Sequence, residues 1–211
     1  MNNFISNYNK ISDILKDFGI PESNKTQIRK PKLCDRDLVA LNLTAEYQGV
    51  DSEHQLFRVI VQTPLDGLIS RTVYNRRKKG LFSFIENIRC KMSQYLNCFE
   101  DYFIVDSMPL EVCKLSRSSR SKICKESFYS APDKGFCASQ QLHFYGYKIH
   151  ATCSVKGVFN SLDISKASVH DIYYLSDIQY KMKDCVLLGD KGYLSYSQQI
   201  NLFESANIKL T

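Results

Sequence analysis

The chain has 211 residues, of which 44% are hydrophobic and 24% charged, with a formal net charge of +6. That balance excludes a disordered or fibrous chain and leaves a globular fold as the expectation, either one sizeable domain or a small one joined to a medium one. No apolar run reaches the length of a membrane span, and the opening Met-Asn-Asn-Phe-Ile-Ser lacks the basic-then-apolar layout of a secretory signal, so a soluble intracellular protein is expected.

In chain order, the first hundred residues read as helical. Leu38, Leu41 and Ala45 recur at helical spacing within 35–47, with Asp35 or Asp37 as the cap. Ser52 is placed to cap a second helix (52–62) carrying Leu56, Phe57, Ile60 and Val61, which the turn Thr63-Pro64-Leu65-Asp66-Gly67 ends. Ser70 caps a third, Arg71 to Lys79, closed by Gly80. A longer helix follows, with Leu81, Ile85, Ile88, Met92 and Tyr95 on one stripe.

From Asp101 the pattern changes to strands. Tyr102-Phe-Ile-Val-Asp106 is a continuous apolar run of the kind buried on both faces of a sheet. The basic, serine-rich stretch Lys114 to Lys125 reads as a loop or short helix. Residues 143–155 alternate, with Tyr145, Tyr147, Ile149, Ala151 and Cys153 on one face, and Lys156-Gly157 turns the chain into a partner strand, 158–166. Helical spacing returns over 171–182 through Ile172, Leu175, Ile178 and Met182. Val186-Leu-Leu-Gly-Asp190 is a second short buried strand before the tight Lys191-Gly192 turn. A helix over 196–206 and the start of a strand over 207–210 complete the chain. This order describes an α/β fold: an RNase H-like mixed sheet with flanking helices, incomplete at its C-terminus and preceded by an all-α N-terminal region. The domains are expected at 1–100 and 101–211.

Eight cysteines without an export signal point to free thiols rather than disulfides. A zinc set of Cys137, His143, His150 and Cys153 is disfavoured. On an extended strand His150 and Cys153 face opposite ways, and His143 and Cys153 lie roughly 30 Å apart.

Two aspartates stand at the ends of the short apolar strands, Asp106 in Phe-Ile-Val-Asp-Ser and Asp190 in Leu-Leu-Gly-Asp-Lys-Gly-Tyr. Carboxylates at one edge of adjacent strands repel each other, and a divalent cation with a preference for hard oxygen ligands removes that penalty. On local pattern alone the commoner reading is that each aspartate starts the turn after its strand.

Four stretches together resemble the IS982 family of DDE transposases. They are Ile104-Val-Asp106-Ser-Met-Pro-Leu-Glu-Val-Cys113, Phe144-Tyr-Gly-Tyr-Lys-Ile-His150, Ala167-Ser-Val-His170-Asp171 and Gly189-Asp190-Lys-Gly-Tyr193, in the family's order. The helical leader over 38–60 and the basic Tyr74-Asn-Arg-Arg-Lys-Lys79 are similar to that family's leader, so the resemblance runs from about Lys32 to Leu210. It implies that Asp106 and Asp190 are the first two acidic ligands, catalytic and metal-binding, and that the complete site holds two Mg²⁺ (or Mn²⁺) ions. It places the third ligand, a glutamate, on a helix beyond the fifth strand, past Thr211, so a C-terminally truncated family member is expected. Glu204 falls on the helix before that strand. His170-Asp171 resembles a residue pair that recurs near the catalytic end of related transposases; the alternative, favoured for Asp171, is a helix cap, with His170 a loop residue of open role. Lys148 and Lys191 suit phosphate contact, although solvated lysines are commoner, and Tyr193 reads as a packing residue.

The implied partners are DNA, as element ends and target, and further copies of the chain in an active homo-oligomer, in the cytoplasm and on the nucleoid. Helices 35–47, 52–62 and 70–79 suggest a helix-turn-helix-like unit presenting Arg71, Asn75, Arg76, Lys78 and Lys79 to DNA. The bland alternative is a solvated basic face. Arg117, Arg120, Lys122 and Lys125 form a second basic segment suited to backbone contacts. The expected activity is metal-dependent DNA cleavage and strand transfer in transposition; the alternatives are an inactive remnant or competitor that binds element ends, and a host nuclease.

Overall fold

Capping side chains set the frame of the helical part. Ser52 Oγ accepts the Gln55 N–H at 3.1 Å and Ser70 Oγ accepts the Val73 N–H at 3.5 Å, satisfying amides that a helix start leaves open. The computed structural model describes residues 2–24, 30–137 and 141–211, and the chain divides into two units, Met1–Met92 and Ser93–Thr211.

The helices are α1 (Asn2–Asp17), α2 (Asp35–Tyr47), α3 (Glu53–Val59), α4 (Arg71–Gly80) and α5 (Phe82–Leu96). Leu38, Val39, Ala40 and Leu41 of α2 are fully buried and pack with Leu15, Leu56, Ile60 and Tyr74. Several expectations change in detail. The cap of α2 is Cys34, whose Sγ accepts the Asp37 N–H at 3.3 Å, rather than Asp35 or Asp37. Asp35 instead turns inward, where it accepts from Arg77 Nη2 at 2.7 Å and from the Asn24 N–H at 3.0 Å. Helix α3 stops at Val59 and leaves Val61 exposed; Gly80 lies inside α4, and Leu81 is its C-cap. Tyr95 leaves the expected stripe of α5 and is exposed, while Phe84 takes a buried place.

The second unit is a mixed sheet with helices, as the period-2 segments indicated. Its strands are β1 (Tyr102–Lys114), β2 (Asp133–Cys137), β3 (Leu142–Ser154), β4 (Phe159–Lys166), β5 (Cys185–Gly189) and β6 (Ile208–Leu210). β3 is central: it pairs antiparallel with β1 on one side and with β2 and β4 on the other. β1 then pairs parallel with β5, and β5 parallel with β6. A 3-10 turn (Asp171–Tyr174) leads into α6 (Leu175–Ile178), and α7 (Tyr196–Ala206) joins β5 to β6. Phe103, Val105, Leu187, Ile208, Leu175, Ile178 and Leu202 form its core.

Three corrections follow from packing. β1 is not buried on both faces: Phe103 and Val105 point into the core, but Tyr102 and Ile104 are 54% and 46% exposed. The inward residues of β3 include the polar His150, Thr152 and Ser154, all at most 2% exposed. Most of their polar atoms are bonded: His150 Nε2 to Ser165 Oγ at 2.7 Å, Thr152 Oγ1 to Ser161 Oγ at 2.9 Å, and the Ser154 hydroxyl accepts the Val158 N–H at 3.3 Å, while His150 Nδ1 has no partner among the described residues. The expected helix over 171–182 is a 3-10 turn followed by four α-helical residues. Its cap is His170, whose Nδ1 accepts the Ile172 N–H at 3.3 Å, and not Asp171.

Candidate active site

The parallel pairing of β1 with β5 brings Asp106 and Asp190 together: Asp190 follows the end of β5, whereas Asp106 lies inside β1, which runs on to Lys114 instead of ending at the aspartate as its sequence pattern suggested. The last paired residues are Val105 and Gly189, and each is followed at once by an aspartate, Asp106 and Asp190. Neighbouring strands lie about 4.8 Å apart, so this register sets both carboxylates at one edge of the sheet. They line a common cleft of about 680 Å³, together with Ser107, Lys148 and Asp171.

Each aspartate is oriented by its own backbone. Asp106 Oδ1 accepts the Ser107 N–H at 2.7 Å, and Asp190 Oδ1 accepts the Gly192 N–H at 2.9 Å as the cap of the 3-10 turn Lys191–Tyr193. Both residues are exposed to the cleft, and the second oxygen of each makes no hydrogen bond or ion pair among the described residues. The Gly189-Asp190-Lys-Gly192 sequence has a steric reason. A Cβ on Gly189 would lie 3.1 Å from Tyr193 Cβ and 3.2 Å from Val105 Cγ1, and one on Gly192 would lie 3.1 Å from Asp190 Oδ1.

Lys148 and Asp171 add a pair of opposite charges to the cleft. Lys148 Nζ donates to Asp171 Oδ1 and to the Val169 carbonyl, both at 2.9 Å, with the two side chains 15% and 27% exposed. Tyr193 packs as expected, at 1% exposure. Burial pushes its phenol far above the ordinary tyrosine range, Ser107 opposes this, and the negative charges of Asp171, Asp106 and Asp190 add to it. Three carboxylates are thus felt at one buried ring. Of the two readings of Asp171, helix cap or member of a pair near the catalytic end, the fold places it in the cleft beside Lys148 on β3, and Ser107 is a cleft residue that the sequence did not single out.

Hard carboxylate oxygens that are oriented yet left with a free lone pair fit a divalent cation. Among the described residues no group of three or more His, Cys, Asp or Glu forms a ready metal cluster, so the fit rests on the Asp106–Asp190 pair. Glu204 lies elsewhere, in a separate cavity of about 580 Å³ bounded by Tyr180 and Phe203. His143 lies tilted against Phe136, with centroids 4.7 Å apart, His150 stacks on Tyr174 at 4.9 Å, and all eight cysteines are free thiols.

The basic residues divide. Arg71, Arg76 and Lys79 on α4 are exposed and pair with no acidic side chain among the described residues, and Lys78 is half-buried. Asn75 is engaged, its Nδ2 donating to Glu53 Oε1 at 2.7 Å, which ties α4 to α3 and competes with base contact. Arg117, Arg120 and Lys191 are exposed, as are Lys122 and Lys125. Among the described residues no helix is long and apolar enough to cross a membrane.

A family model described as "Transposase DDE domain" matches residues 97–211, more than half of the chain and the whole of the cleft. No curated protein and no solved structure matches.

Proposed function

The chain belongs to the transposase DDE domain family, and from that membership we propose that Asp106 and Asp190 are its first two acidic ligands, in a site that cuts and joins DNA. Membership carries DNA as partner and the use of divalent metal. The observation that carries the finer reading is the register Val105–Gly189, which sets the two aspartates side by side in one cleft. The strand order β4-β3-β1-β5-β6, three antiparallel followed by parallel pairs, supports an RNase H-like arrangement, with β2 added beside β3. The four motif stretches support a place in the IS982 group.

Asp106 and Asp190 would hold Mg²⁺ or Mn²⁺, two ions in the complete site; what the bound metal supplies is Lewis acidity toward the attacking and leaving oxygens of phosphoryl transfer. The chain's own residues do the rest. The Ser107 and Gly192 amides hold one oxygen of each carboxylate and turn the other outward. Lys148 offsets the charge of Asp171, so the cleft does not gather a third uncompensated carboxylate. Water attacks the phosphorus at an element end, losing its proton to solvent, and the 3′-oxygen leaves as a protonated 3′-hydroxyl. That hydroxyl then attacks a phosphorus of target DNA, its proton passing to the target strand's own 3′-oxygen, which leaves. Arg71, Arg76, Lys78 and Lys79, with Asn75 when released from Glu53, are the proposed grip of the helical unit. Arg117, Arg120 and Lys191, with Lys148 when released from Asp171, are that of the sheet unit. Several copies act together on paired ends in the nucleoid.

The test is strand cleavage of duplex carrying the element's end sequence in Mg²⁺. The wild-type chain is expected to nick it and Asp106→Asn to lose the activity by at least about 100-fold, with binding retained. Equal cleavage by Asp106→Asn would refute the assignment.

A further inference from the structure

Between Lys114 and Ser130 the chain carries Arg117, Arg120, Lys122 and Lys125 against a single acid, Glu126, and ends in two large rings held in water. Phe128 is 82% and Tyr129 89% exposed. They stand edge to face, with centroids 5.9 Å apart and planes at 81°. Adjacent exposed rings beside basic side chains offer flat π-faces to a partner.

The rings are anchored. Tyr147 on β3 and Lys166 on β4 face each other in register. The Tyr147 hydroxyl donates to the Ser130 carbonyl at 2.6 Å, and Lys166 Nζ donates to the Phe128 carbonyl at 2.8 Å. The same ammonium lies 4.8 Å from the Phe128 ring centroid, a cation–π contact that fixes the ring as well as its backbone. The anchor stands one residue along β3 from Lys148, which lines the cleft with Asp106 and Asp190.

We propose that Phe128 and Tyr129 are a stacking platform for unpaired DNA bases, with the basic residues of 117–125 following the strand's phosphates. The proposal rests on the transposase reading, which makes DNA the partner. Exposed rings beside lysines and arginines match a single strand chemically: each unpaired base offers a π-face, whereas a duplex keeps its faces stacked inside. Positive charge serves both forms of DNA; the rings serve only the single strand.

The chain contains no tryptophan, so Tyr129→Trp introduces a sole tryptophan, excited selectively at wavelengths where tyrosine does not absorb, at an exposed position that no core packing depends on. Oligothymidylate is expected to quench its emission, and heparin, a polyanion without bases, is expected not to. Phe128→Ala combined with Tyr129→Ala is expected to weaken oligothymidylate binding by about 10-fold or more while duplex affinity stays unchanged. Equal quenching by heparin, absence of quenching, or unchanged oligothymidylate affinity in the double variant would overturn the platform. Quenching that grows with protein concentration in the absence of nucleic acid would overturn it too, marking a contact between copies. The readout needs neither metal nor cleavage, so it is independent of the Asp106–Asp190 assignment. Failure of the transposase reading itself would show differently, as loss of binding to duplex and single strand alike.

Discussion

His150 shows how one residue links the polar interior to pH. Its imidazole is 2% exposed and lies against Tyr174 and Ser165. Burial holds its pKa below the ordinary 6.5; Asp171, Asp163 and Asp177 oppose the shift and Lys148 reinforces it. An unfolded histidine then takes up its proton at higher pH than the folded one. Above the unfolded value the group contributes nothing; as pH falls through about 6.5 toward the lower folded value, protonation favours the unfolded chain and stability is lost. Urea unfolding between pH 7 and 5 is therefore expected to show a falling midpoint, and His150→Asn a flatter dependence than the wild type. A slope unchanged by the substitution would show that other groups carry the effect. No sequence pattern predicts this burial, because the alternation of β3 puts tyrosines and isoleucine on the other face. His150 and Thr152 on the inward polar face depend on Ser165 and on Ser161 with Tyr174, partners that only the pairing of β3 with β4 and the packing of the following turn supply. The position of Asp190 just past β5, by contrast, was legible, because a short apolar run closed by a carboxylate is a local signal; the same signal at Asp106 did not mark a strand end, because β3 pairs with β1 as far as Lys114.

At the scale of elements, legibility followed whether a segment is stabilised locally. α2 over 35–47 and α7 over 196–206 fall where helical spacing placed them. β2, Asp-Lys-Gly-Phe-Cys, has no apolar alternation and exists through its ladder with β3, so nothing local announced it. β1 likewise runs on through Pro109 to Lys114 because β3 supplies its partner. That pairing depends on close approach at Gly146, opposite Glu111 beside the bulge, where a Cβ would collide with the Leu110 carbonyl and the Val112 amide. Gly146→Ala is expected to lower stability by at least about 1–3 kcal/mol, read as a reduced thermal midpoint. In α4 the basic run is of two kinds. Arg77 donates to Asp35 and to the Leu33 carbonyl at 2.8 Å, with its side chain 17% exposed and that of Asp35 only 6%. Arg77→Ala leaves a buried carboxylate without its cation and is expected to cost about 3–5 kcal/mol in urea unfolding. Arg76→Ala, at an exposed position, is expected to change stability by less than about 0.5 kcal/mol and to weaken binding to duplex DNA. The same loss of stability in both variants would contradict this division.

For the whole molecule, an excess of positive charge, a helical unit with an exposed basic helix and a sheet unit with a two-aspartate cleft converge on one chemistry. The mixed sheet was foreseeable from the order of elements. The Lys148–Asp171 pair was not, because an ion pair between β3 and a 3-10 turn belongs to tertiary structure alone. The proposed cleavage requires Asp106 and Asp190 to hold a divalent cation. Mn²⁺ titration followed by electron paramagnetic resonance tests this without any need for cleavage. Asp106→Asn and Asp190→Asn are each expected to weaken Mn²⁺ binding by about 10-fold or more relative to wild type, and Glu204→Gln to leave it unchanged. Wild-type Mn²⁺ affinity in either aspartate variant, or an equal loss in Glu204→Gln, would contradict it.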